Sequence, residues 1–261
     1  MQDLNSFQSS DSSDEGAQAW AIPFADMMTL LLTLFILLLV ILKESEKFVD
    51  RQINLLLQET YEQLDDKIKN EDVSIERVTK GIQITLRGNL FQSMKANVNK
   101  NYIPVIQEIS KIIEDCRLFN VESSKQYSSL VSFLEEANQE LNVEIRCEGH
   151  TDDAILPPQS DYSNNWELSS ARSLRVVNIM NDASSISEKY FSYNGYGEFR
   201  PLINVSGIDD FQKKKQARAY NRRVEIYLDA FARPKTRSSE DEFLKMLNNK
   251  FKKEKELQSM N

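Results

Sequence analysis

Between Trp20 and Leu42 the chain reads WAIPFADMMTLLLTLFILLLVIL, an almost unbroken apolar run interrupted by one carboxylate, Asp26. The 21 residues from Ile22 to Leu42 would form a helix about 31 Å long, which matches the hydrocarbon core of a bilayer. The pattern predicts a single transmembrane helix. A cleaved signal peptide would carry a basic leading region, a shorter apolar core and a small-residue cleavage site, and none is present. Trp20 suits an interfacial anchor and Pro23 the first helical turn, so the helix is expected to begin near Ile22, with Asp26 about 6 Å inside it.

Asp26, Thr29 and Thr33 recur at i, i+3 and i+7 and share one stripe of an otherwise Leu/Ile/Val/Phe cylinder. An aspartate within a span costs roughly 2.5–3.5 kcal/mol on insertion scales, so the stripe should face protein or water. The residues alone leave two readings open: an ion or proton pathway, or a polar lock in helix association. A carboxylate that can be neutral or charged is suited to carrying a proton. Residues 1–19 hold no Lys or Arg, whereas Lys43 and Lys47 follow the span. That charge pattern by itself places the N-terminus outside.

The net charge of −8 comes with no basic stripe, so no nucleic-acid partner is expected. The basic runs QKKKQAR and NKFKKEKE read as solvated loop and tail. Cys116 and Cys147 are the only cysteines. An oxidising compartment would allow a bridge between them, and a buried strand position for Cys147 is the alternative.

After the span, residues 43–70 place Phe48, Ile53, Leu56, Leu57, Tyr61, Leu64 and Ile68 at helical spacing. This predicts an amphipathic linker helix or short coiled coil needing a partner surface, most simply its own copy. GIQITLRG then reads as a strand, and NYIPVIQEISKIIEDC as a helix. Residues 117–142 read as a helical insertion with Leu130, Phe133, Leu134 and Leu141 on its apolar side. NVEIRCEGHTDD is a strand ending in a polar turn, NNWELSSARSLRVVNIM a helix, KYFSYNGYGEFRPL a short strand and Gly-rich loop, and NRRVEIYLDA a closing strand. The expected fold is α+β: a β-α-β-α-β-β domain with helices on one face of a mixed sheet. No acid/base pair or metal cluster has catalytic spacing, so no enzyme, no catalytic residue and no metal ligand is expected. His150, the lone histidine, is expected to order the turn at Asp152.

GHTDD, SNNWELSSARSLRVV, YNGYGEFRPLINV and NRRVEIYL, in that order, resemble the OmpA-like peptidoglycan-binding domain over residues 80–230. WAIPFADMMTLLL ahead of such a domain resembles the B subunit of the flagellar stator, the MotB family. The ZorB family of the Zorya anti-phage motor shares the layout. The resemblance implies a cytoplasmic tail (1–19), an inner-membrane span (20–42), a periplasmic linker or plug helix (43–79), the OmpA-like domain (80–230) and a charged tail (231–261). This orientation opposes the charge pattern, and a large domain translocates largely regardless of nearby lysines.

It further implies that Asp26 carries an ion, a proton rather than sodium, with no cofactor. The implied partners are polytopic MotA/ZorA-type subunits, peptidoglycan, the lipid bilayer and a second copy of the chain. In OmpA-like domains an Asp after the strand and an Arg on the next helix hold the charged ends of diaminopimelate; these match Asp152 and Arg172, with Asn165 and Leu168 as lining positions and Arg223 as a neighbour. A structural ion pair between Asp152 and Arg172 is the alternative. The acidic loop at Asp152, Asp153 and Asp161, the 117–142 insertion and the long linker depart from a flagellar B subunit and lean toward a ZorB-like or specialised stator.

Overall fold

The structure, a computed structural model, describes residues 12–235 apart from 80, 93 and 122–123. The expected tails therefore fall largely outside the described residues, at 1–11 and 236–261. The chain divides into two compact units after Asp50.

The first helix, α1 (Ser12–Lys67), begins well before Ile22 and places Pro23 in its interior. The expected start near Ile22 is thus corrected. Ala, Glu and Gln are common between residues 14 and 21 and favour helix, and a proline is tolerated inside membrane helices. Within the first unit, residues 20–42 are exposed throughout. Among the described residues this is the one helix long and apolar enough to cross a membrane.

The second unit is built on a five-stranded sheet in the order β1-β2-β5-β3-β4. Its strands are β1 (Val73–Val78), β2 (Gly81–Leu86), β3 (Gln139–His150), β4 (Phe191–Gly195) and β5 (Arg223–Pro234). Only β3 and β4 run parallel; the other pairs are antiparallel. A parallel pair needs a crossover, and α4 (Asn165–Ala183) supplies it.

Registers set the core. Ile82, Ile84 and Leu86 lie opposite Leu228, Ile226 and Val224, and Ile145 and Cys147 lie opposite Leu228 and Ile226. All are essentially buried, because alternation sends every second residue to one face. Helix α2 (Ile103–Asp115) adds Ile106, Ile109 and Ile113 to the core. Ser110 Oγ donates to Met180 O at 2.7 Å and ties α2 to α4.

Several expectations change here. Strand β1 lies inside the stretch read as linker; its V-S-I-E-R-V alternation was the missed signal. Leu141 belongs to β3, and the insertion's helix is only α3 (Ser128–Glu136), with Leu130 and Leu134 buried. QKKKQAR lies within a helix, α5 (Phe211–Asn221), capped by Asp210 Oδ1, which accepts from Gln212 N and Lys213 N.

Residues 51–67 need no second copy to cover their apolar face. Ile53, Leu56, Leu57, Thr60 and Leu64 are buried within the second unit. Glu59 accepts from Arg117 Nη1 at 2.7 Å and from Gln126 Nε2 at 2.9 Å. Cys116 and Cys147 are both buried free thiols, so the bridge is absent. Burial pushes the Cys147 thiol up to about 12.

Candidate functional site

In the span, Thr29 Oγ1 donates to Asp26 O and Thr33 Oγ1 to Leu30 O, each at 2.8 Å. Both hydroxyls are thus satisfied by their own helix. Asp26 sits on an exposed surface, and among the described residues no cationic side chain pairs with its carboxylate.

In the second unit a cavity of about 290 Å³ opens at the C-terminal end of β3 and the first turns of α4. Two close approaches fix that corner. A Cβ at Gly149 would meet Ser169 O at 2.1 Å, and one at Gly195 would meet Ser170 Oγ at 2.3 Å, so glycine lets α4 lie directly on the strands. The helix start is fixed by a reciprocal cap: Asn164 Oδ1 accepts from Glu167 N at 2.9 Å, and Glu167 Oε2 accepts from Ser163 N at 2.7 Å.

Asp152, Asn165, Leu168 and Arg172 all line this cavity. Asn165 Nδ2 donates to Ala154 O at 3.0 Å and holds the loop against α4. Leu168 is buried at the floor. Arg172 Nε donates to Lys95 O at 3.0 Å, and its guanidinium lies 4.8 Å over the Phe91 ring. Burial pulls this guanidinium down to about 10, Asp152 pushes it back up and Arg222 adds a further pull down. It remains a cation at neutral pH.

Asp152 does not pair with Arg172. Its Oδ2 accepts from Arg222 Nη1 at 2.6 Å, and Asp153 takes both Nε and Nη2 of Arg218 at 2.6 and 3.0 Å. The side-chain bonds from Arg218 hold the Asp153 carboxyl below its ordinary value. Asp152 and Asp153 of the acidic loop are therefore each paired with an arginine, the two arginines lying one helical turn apart at the end of α5. The i, i+4 arginine spacing in RAYNR was the signal for both.

Arg223 is not part of the cavity. It is buried beside the sheet, where its Nε donates to Glu225 Oε1 at 2.6 Å and its Nη2 to Arg200 O at 3.2 Å. The neighbouring Arg222, which ends α5 just before the strand begins, lines the cavity instead. Sequence reasoning also missed Thr151, which lines the cavity and whose buried Oγ1 has no hydrogen-bond partner among the described residues. Phe91 and Met94 on the loop after β2 were missed as well, and nothing in their local pattern announces them.

His150 does not order the turn at Asp152. Its ring is buried against Tyr196 at 5.4 Å, and Nε2 stands 3.6 Å from Glu225 Oε2. Glu148, His150 and Glu225 bring one potential ligand atom each within 4.8 Å of one another. The carboxylates already bond Arg146, Arg223 and Tyr227, so the cluster is a charge-compensated network rather than an open metal site. Burial pushes the Glu225 carboxyl up, but the approach of His150, the guanidinium of Arg223 and the Tyr227 hydroxyl outweigh it and bring it to about 2.

Residues 7–54 match the family described as membrane MotB of the proton-channel complex MotA/MotB, and residues 116–215 match the OmpA family. Motility protein B of Bacillus subtilis strain 168 is 26% identical over 62% of this chain and 51% of its own length, so the match spans about half of that relative. Zorya protein ZorB of Escherichia coli O139:H28 is 26% identical over 88% of each chain. A crystal structure of a MotB-like protein from Desulfovibrio vulgaris shares the fold at a TM-score of 0.50 and 18% identity, covering 72% of this chain and 99% of that one. An apolar helix with one carboxylate, followed by this sheet and cavity, agrees with both family matches: the N-terminal helix is similar to the MotB family and the second unit to the OmpA family, the arrangement that the relatives Motility protein B and ZorB also match.

Proposed function

We propose that the chain is the ion-conducting, peptidoglycan-anchored subunit of a rotary motor in the bacterial inner membrane, most simply a flagellar one. The N-terminus is cytoplasmic and the sheet domain periplasmic. Two copies of α1 stand inside a ring of polytopic A-type subunits. A proton binds Asp26 from the periplasmic side and leaves to the cytoplasm. Each charge moved supplies about 2.3 kcal/mol per 100 mV, enough for one conformational step of the surrounding ring. Holding the domain on the wall keeps the B subunits still while that ring turns.

The observation that carries this reading is Asp26, an ionisable group without a cationic partner among the described residues, on an otherwise apolar helix. A passive tether gains nothing from it. At the other end the cavity offers a carboxylate for an ammonium and a guanidinium for a carboxylate, the pair that selects a zwitterionic amino-acid end such as diaminopimelate. Gating by the linker is assigned to its part before Arg51, since residues 53–64 contribute to the core of the sheet domain.

The test is proton flux with the A-type partner co-expressed, read as cytoplasmic pH, in wild type and Asp26→Asn, with residues 51–67 intact. Acidification lost in the Asn variant supports the motor. No flux in either, despite verified assembly, supports a wall tether. A ZorB-like defence motor is the second reading, favoured by the match to ZorB over 88% of both chains. Phage protection rather than swimming, lost in Asp26→Asn, would select it.

A further inference from the structure

A second cavity, of about 510 Å³, adjoins the first and shares Gly88, Asn89 and Arg222 with it. Its remaining lining is Glu71, Asp72, Arg87, Ala219 and Tyr220. Among the described residues the buried Arg87 Nε has no hydrogen-bond partner and no carboxylate pairs with its guanidinium. Asp72 Oδ2 accepts from the Tyr102 hydroxyl at 2.6 Å. The partition between the cavities is thin backbone. Gly88 has a φ of +82°, and a Cβ there would meet Asp72 Oδ1 at 2.7 Å and the Tyr102 hydroxyl at 2.8 Å.

We infer that this second cavity is a subsite for the neighbouring residue of the same wall peptide, taking that residue's free carboxylate at Arg87. The inference rests on the wall-anchor reading above. A ligand ammonium entering the first cavity competes with Arg222 for Asp152 Oδ2. The Arg222 side chain is 43% exposed and already lines both cavities, so once displaced it adds a second cation beside Arg87. Two acids and two arginines line the subsite, which favours a dipolar peptide segment with N–H donors and one carboxylate over a polyphosphate chain, which Glu71 and Asp72 repel. In wall stem peptides diaminopimelate is joined to the γ-carboxyl of a D-glutamyl residue, which leaves such an α-carboxylate next to the zwitterionic end.

The experiment is calorimetry on the full-length chain in lipid nanodiscs with three probes: free diaminopimelate, γ-D-glutamyl-diaminopimelate and the α-amide of that dipeptide. Wild type is expected to bind the dipeptide about tenfold more tightly than its amide, the worth of one charge-assisted contact. Arg87→Gln should bind dipeptide and amide alike, while its affinity for free diaminopimelate equals that of wild type. Arg172→Ala should lose all three. Equal affinity of wild type for dipeptide and amide overturns the subsite while leaving the anchor reading intact, and so does discrimination that survives Arg87→Gln. The wild-type comparison depends only on the ligand, so it stands even if the variant folds poorly. Failure of wild type to bind any probe overturns the anchor reading and the subsite with it.

Discussion

Arg172 serves two purposes with one side chain. Its Nε holds the loop after β2 through Lys95 O, and its planar face covers Phe91; under the proposed function its terminal nitrogens meet the ligand carboxylate. A lysine keeps the charge but loses both the fork and the stack. Arg172→Lys is expected to weaken binding to purified wall sacculi roughly tenfold to hundredfold in a sedimentation assay. Glu225 makes a separate prediction about acid. Its folded carboxyl is depressed to about 2 from an ordinary 4.5, so its stabilising contribution is fully present above pH 4.5 and is lost as pH falls through about 2. The urea midpoint should therefore decline across that window, and Glu225→Gln should decline less steeply there.

At the scale of elements, α1 changes character along its length. Residues 20–42 are exposed over the whole cylinder, whereas residues 51–67 bury one face in the sheet domain. Leu57 and Leu64 are essentially buried, so truncating either to alanine should cost about 2–5 kcal/mol in denaturant unfolding. Deleting 51–67 should unfold the domain rather than merely open a gate, with the loss read by circular dichroism. Helix α5 contributes charge more than core. The Arg218–Asp153 pair is about one-third exposed on both sides, so Arg218→Ala should change stability by no more than about 1 kcal/mol.

For the whole molecule, the proposed tasks fall in separate units. Asp26 lies in the first and the cavity lined by Asp152 and Arg172 in the second. Asp26→Asn should therefore sediment with sacculi as wild type does while abolishing flux. Most of this division is legible in the chain: the apolar run with its lone acid, the strand and helix periods of the core, and, of the five residues named from motif, the four that the structure gathers around one cavity. Arg223 is the exception, since a motif names a neighbourhood and the junction between the end of α5 and the start of β5 decides which of two adjacent arginines lines the cavity.

Taken alone, the sequence determined a helix long and apolar enough to span a membrane, with one carboxylate in it, and a mixed α+β domain. Both follow from local periodicity and from the cost of exposing apolar groups to water or charge to lipid. Only the tertiary structure decided that residues 51–67 find their partner surface in their own domain, that β1 and α5 belong to it, and that Asp152 meets Arg222 rather than Arg172. The physical reason is range. Side chains far apart in the chain meet only once the sheet order β1-β2-β5-β3-β4 and the close seat of α4 on Gly149 and Gly195 have been built.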